Sequence, residues 1–297
     1  MNEHGLISSS RGGWALLGLS AAFVAAAAFL VRDAPTDVPG LEVATAEDVA
    51  DAVLHLAYPL VGALIIARNR ANLFGWVFCL GALCFEATLF AGAYSTYGTF
   101  THPGSLPAPQ LLSLVSDLLL VPSFVLVVTM VPLLFPTGRP PTRRWWIVGV
   151  AAAVTILLAT LSMAIRPGLV DEDVPSAGMN PLGIPGAGGI ADALELAAFA
   201  LFFLAAVGSL ASLAVRTRRS HGEERRQLKI FVVGVAVVFA VLFVPDEPLG
   251  LDGQAAQIAL AVVGILALPI AVAIALLRPG RRSGQPTSLE AYEPALR

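Results

Sequence analysis

Eight apolar runs, each near the roughly 20 residues that a helix needs to cross a bilayer, limit what this chain can become. They are Trp14–Val31, Val49–Ala67, Leu73–Tyr97, Leu111–Phe135, Trp145–Ile165, Ile190–Val215, Leu228–Val244 and Gln254–Leu277. In hydrocarbon every backbone N–H and C=O must be satisfied within the segment or within a closed barrel, so runs of this length are helices. Charged residues make up 13% of the 297 residues, about half the share found in an ordinary soluble domain, and mean hydropathy is +0.78. The expected fold is therefore all-α: a polytopic membrane bundle of about eight transmembrane helices over residues 1–277, followed by a short polar tail, 278–297. Pro59, Pro122, Pro132 and Pro269 fall inside runs. Each removes a backbone donor and is expected to kink its helix. The first run exceeds the roughly 15-residue ceiling of a signal peptide's apolar region, so it is read as a retained span.

Orientation comes from the arginines. The densest basic stretch, RTRRSHGEERRQLK at Arg216–Lys229, lies between two apolar runs. Basic residues beside membrane spans stay on the cytoplasmic side. Alternating the loops from there puts 16 of the 18 basic residues inside and leaves only Arg32 and Arg166 outside. The outer loops hold the acids instead: Asp33, Asp37, Glu42, Glu47, Asp48, Asp171–Asp173, Asp246, Glu247 and Asp252. Both termini are then cytoplasmic, and the chain is a multi-pass protein of a bacterial plasma membrane. The tryptophans Trp14, Trp76, Trp145 and Trp146 fall at inner helix ends on this map, where aromatic anchors belong. Cys79 and Cys84 share one run but are five apart, on different helix faces, so neither a disulfide nor a cysteine metal site is expected.

Ionisable residues inside spans are costly and are candidates for function. This chain has Asp51, His55, Glu86, Asp117, Asp192 and Glu195. Asp51 and His55 are four apart and Asp192 and Glu195 three apart, so each pair shares a helix face. All but Glu86 fall in the outer third, where they could converge on one acidic pocket suited to a cation or a protonated amine. Glu86 lies deepest. Against this stands a plainer reading: Asp51 and Asp192 cap helix N-termini, and the others make interhelical hydrogen bonds. The candidates for a ligand or ion are Glu86, Asp117, His55 and Glu195. Those for contact with lipid or a partner are Arg216, Arg218, Arg219, Arg225, Arg226 and Lys229. The plainer reading of that basic group is that it only enforces topology. Gly208 and Ser212 form a small-residue face suited to close helix packing.

Several segments carry a family resemblance. RNRANLFGW at Arg68–Trp76, LLFPTGRPPTRRWW at Leu133–Trp146, NPLG at Asn180–Gly183 and GEERRQLK at Gly222–Lys229 occur in order across most of the chain. In sequence, order and spacing they resemble the N-terminal membrane region of actinobacterial two-component sensor histidine kinases. The resemblance implies a sensor-type membrane module. It departs where that family continues into a phospho-accepting histidine and an ATP-binding domain, because His4, His55, His102 and His221 all precede the end of the last apolar run. No nucleophile–His–acid set, HExxH, phosphate loop or nucleic-acid module occurs. The expected function is a non-catalytic, sensor-like module without cofactor or metal, signalling through a cytoplasmic partner. A small-solute or ion transporter working through the outer acidic pocket is the alternative. Membrane lipid, a cytoplasmic signalling protein and a second copy of the chain are the expected partners; nucleic acid is not.

Overall fold

The computed structural model describes residues 3–35, 46–170, 178–243 and 254–277. Ten α-helices are defined among them. They are α1 (Glu3–Val31), α2 (Ala46–His55), α3 (Ala57–Arg68), α4 (Leu73–Thr96), α5 (Pro109–Val125), α6 (Val131–Leu134), α7 (Trp146–Ile165), α8 (Gly188–Arg219), α9 (Gly222–Phe243) and α10 (Gln254–Leu277). The described residues hold no strand, only an isolated antiparallel bridge between Leu169 and Met179. Among the described residues seven spans are long and apolar enough to cross a membrane, with α2–α3 and α5–α6 each making one of them. The run Leu228–Val244 forms the second part of α9 as far as Phe243, its last described residue. Because α9 opens on GEERRQLK, about 14 apolar residues remain before Phe243, some 21 Å at 1.5 Å per residue. The acids Asp37, Glu42, Asp171–Asp173, Asp246, Glu247 and Asp252, and the tail 278–297, lie outside the described residues.

The prolines act unequally. Pro59 can give no amide to the carbonyl of His55, and the second span breaks at Leu56, between α2 and α3. Between Pro122 and Pro132 the fourth span widens into a π-helical turn over Leu126–Met130. There the Thr129 hydroxyl donates to the Val125 carbonyl, while Ser209 of α8 donates to the Thr129 carbonyl at 2.5 Å. Pro269 lies within α10, which continues through it: a proline costs one helical bond, and neighbouring helices can absorb that loss in a membrane.

Lipid supplies no hydrophobic force between helices, so close packing must hold them together. A Cβ on Gly62 would sit 2.5 Å from Cys79 Sγ and 2.9 Å from the Gly75 carbonyl, and one on Gly75 would meet Ile66 and Gly62 near 3.1 Å. The paired glycines thus let α3 and α4 touch backbone to backbone. Gly208 serves α7 and α8 likewise, its missing Cβ leaving 2.9 Å to Val148, and Ser212 is buried. The small-residue face is therefore spent inside the chain. Phe74, Phe78, Phe135 and Phe231 are fully buried, and Phe135 stacks on Phe231 at 4.2 Å and meets Phe74 edge-on at 5.5 Å. The outward faces of α7 and α8 expose Ile147, Val150, Leu157, Leu196, Phe199 and Leu204, the inverse of a soluble surface and the proper one for lipid.

Candidate functional site

At the acidic end, the turn between α7 and α8 is built around one asparagine. The Asn180 amide donates to the carbonyls of Met163, Ala164 and Arg166 at 3.1, 3.3 and 2.8 Å, and its side-chain oxygen accepts from the Leu182 amide at 2.9 Å. It thereby satisfies carbonyls that the C-terminus of α7 leaves without helical partners. Gly183 allows the close approach: a Cβ there would lie 2.8 Å from the Arg166 carbonyl. The NPLG segment is thus a clamp on the end of α7. One turn deeper, Ser162 donates to the Ala191 carbonyl at 2.8 Å and ties α7 to α8.

The clamp positions Arg166. Its guanidinium reaches across to α8, pairing with Asp192 at 2.8 Å and Glu195 at 2.5 Å. Between α5, α7 and α8 a cavity of about 360 Å³ opens beside this triad, lined by Asp117, Arg166, Asn180 and Glu195 together with apolar Leu114, Val121, Ala159 and Met163. One cation therefore stands among three carboxylates above an apolar floor. Such a site can take a positively charged head that competes with Arg166 for Glu195, with an apolar body lodged below.

The expected outer acidic pocket thus forms only in part. Asp117 and Glu195 come together, with Asp192 joined through Arg166. Asp51 and His55 sit elsewhere, on α2, where the His55 ring packs 4.5 Å from Phe85 and its Nδ1 lies 3.1 Å from the backbone carbonyl of Asp51, not its carboxylate. Neither aspartate caps a helix: Asp51 lies in the second half of α2, and Asp192 lies beyond the first turn of α8, whose N-cap is Ala187. Glu86 is fully buried in α4, with neither carboxyl oxygen hydrogen-bonded. Arg166, which the sequence analysis counted only as a basic residue left outside, is the organising residue. The available signal was its rarity, as one of two arginines on the acidic side.

The arginine-rich end is made differently. Arg216 is not part of the exposed basic surface: it is buried and donates to the carbonyls of Phe135 and Arg139. Its place on the inner face of α8 turns it toward α6, while Arg218, Arg219, Arg225, Arg226 and Lys229 stay exposed. Asn72 caps α4 by accepting from the Phe74 amide at 3.0 Å and donates to the Pro136 carbonyl. Gly138, at φ 74°, fits against Asn72 and would bring a Cβ within 2.7 Å of the Leu73 amide. Arg68 closes the far side by donating to the Leu277 carbonyl at 2.6 Å. The segments RNRANLFGW and LLFPTGR are one knot in space, and Phe231, just after GEERRQLK, stacks into it.

The chain matches no protein-family model, no curated protein and no solved structure at a significant level.

Proposed function

We propose that this integral membrane protein is a non-catalytic sensor module of a bacterial plasma membrane. In this reading it binds a small amphiphile bearing a positive charge at the acidic end and signals through a cytoplasmic protein docked on Arg218, Arg219, Arg225, Arg226 and Lys229. The observation that carries the reading is mechanical. The fourth span and α8 both line the cavity, through Asp117 and Glu195. The same two elements are pinned together by Ser209 in the middle and by Arg216 at the other end. A ligand that parts Arg166 from Glu195 would shift α8 as a rigid element, and α8 leads directly into the basic loop. The ordered motif resemblance to histidine kinase membrane regions supports the same assignment. The test is mild crosslinking from a photoreactive group at position 225 in intact cells. A cytoplasmic signalling protein should be captured, and the yield should change when dansylcadaverine, a fluorescent primary amine, is added outside. Recovery of lipid and the chain itself alone, with and without the amine, would reject the proposal.

A transporter is the second reading, and fully buried Glu86 favours it, since intramembrane carboxyls commonly mark ion pathways. Reconstituted protein should then pass protons or a small solute, with flux lowered by Glu86→Gln. Absence of flux across a broad solute panel would retire it.

A further inference from the structure

Glu86 is fully buried in α4, which packs against both α1 and α3 while those two pack on each other, and the groups at its level define what it can bind. Contacts set the register. Phe23 of α1 stacks on Phe90 of α4 at 5.3 Å, and Gly13 packs on Ala63 of α3. Ser20 lies one turn before Phe23 and Glu86 one turn before Phe90. On helices running the same way, residues three or four apart share a face, which brings Ser20 and Glu86 to one layer. Both are 0% exposed, and neither the Ser20 hydroxyl nor either Glu86 oxygen has a hydrogen-bond partner. Cys79, two turns before Glu86 on the same face, lies against Pro59 and Gly62 of α3. Stepping outward along the antiparallel α3 by the same distance reaches the break at Leu56, where Pro59 withholds an amide from the His55 carbonyl. A carboxyl, a hydroxyl and a broken helix thus fall at one level of the bundle.

This layer offers oxygen and no fixed positive charge. The other ionisable residues on the elements packed there are Glu47, Asp48, Asp51 and His55 on α2, Tyr58 and the terminal Arg68 on α3, Cys79, Cys84 and Tyr94 on α4 itself, and Asp117 on α5; α1 contributes none between Arg11 and Arg32. Between Arg11 and Arg139 the only arginines are Arg32, Arg68 and Arg70, all at helix ends, and there is no lysine. A buried carboxylate without a counter-charge is strongly disfavoured. The missing charge has to be supplied from solution. We infer that Glu86, with Ser20 and the α2–α3 break, is an intramembrane site for one monovalent cation, a proton or a sodium ion. Discontinuous helices suit the role, because they present backbone carbonyls that an unbroken helix would consume. This inference stands apart from the acidic-end cavity and survives or fails without it.

The test is difference infrared spectroscopy of wild type against Glu86→Gln in sodium-free lipid nanodiscs. Wild type should show a carboxylic-acid C=O band that the variant loses. Loss of the band on adding sodium at constant pH identifies the metal ion; loss only on raising pH identifies the proton. Ser20→Ala, which keeps the packing, should shift the midpoint of that loss several-fold. Should Glu86→Gln fail to fold, carbodiimide labelling of wild type, mapped by peptide mass, gives the same reading: Glu86 is labelled, and sodium or alkaline pH protects it. No acid band from Glu86 at any pH and no sodium effect, with no labelling under any condition, would overturn the site.

Discussion

The two ends of the bundle use arginine in opposite ways. Arg216, at the arginine-rich end, is buried and gives its hydrogens to backbone carbonyls. Arg166, at the acidic end, keeps 38% of its side chain exposed and pairs with carboxylates that are themselves two-thirds exposed. The first arrangement satisfies the backbone of buried Phe135 and ties the loop after α6 to α8. The second is screened by water, where an ion pair contributes roughly 0.2–1 kcal/mol. A buried arginine on carbonyls therefore reads as a rivet, and an accessible one among carboxylates as a latch that a competing cation can open.

The comparison predicts unequal costs. Arg216→Ala should be the most damaging change, because it takes the guanidinium away from the carbonyl of buried Phe135 and removes charge-assisted bonds each worth roughly 1.5–3 kcal/mol. A loss of about 3 kcal/mol should appear in the unfolding midpoint in mixed micelles, and a loss below about 1 kcal/mol would show that Arg216 is no rivet. Gly138→Ala tests the same knot from the loop side. It forces a side chain into the left-handed region at roughly 1–2 kcal/mol and drives a Cβ against Asn72 and Leu73. About 2 kcal/mol is expected, and a neutral result would mean that the loop can move away from α4 freely.

The spans were legible because bilayer thickness imposes a length that composition reports directly; α4, α7 and α8 follow the apolar runs closely, while α1 ends with its run but begins at Glu3, well before Trp14. The breaks were less so. Proline marks a missing donor, yet only the neighbours decide whether the helix breaks, as at Leu56, widens, as at Leu126–Met130, or runs on, as around Pro269. Of the site residues, Asp117 and Glu195 were readable as acids within spans. Their separation from Asp51 and His55 was not, because helix order around a bundle leaves no trace in one-dimensional spacing. Arg216 resisted for a related reason. It sits in a run of arginines that look alike, and only its facing toward α6 singles it out. Asn72 and Asn180 were visible as motif letters, but their work as clamps depends on carbonyls far away in the chain.

At the acidic end the clamp can be separated from the latch. Asn180→Ala removes donors to three carbonyls at the end of α7, some of which water can replace at this half-buried position. A loss of about 1–2 kcal/mol is expected, with faster hydrogen exchange over residues 163–168 and 178–184. Unchanged exchange there would show that the turn holds itself without the asparagine.

Glu195→Gln should cost least in stability and most in binding. The substitution keeps the shape and deletes one partner of an exposed pair, so the unfolding midpoint should move by no more than about 0.5 kcal/mol. The cavity loses one of the carboxylates that attract a cation, while Arg166 keeps Asp192. Dansylcadaverine fluorescence in nanodiscs should then show affinity for the amine falling about tenfold, and the wild-type affinity should weaken with added salt because the head group is screened at roughly 8–10 Å. If instead stability drops by more than 2 kcal/mol and amine affinity stays unchanged, Glu195 belongs with Arg216 as a structural fastener. The distinction between the two ends would then collapse into a single kind of arginine site.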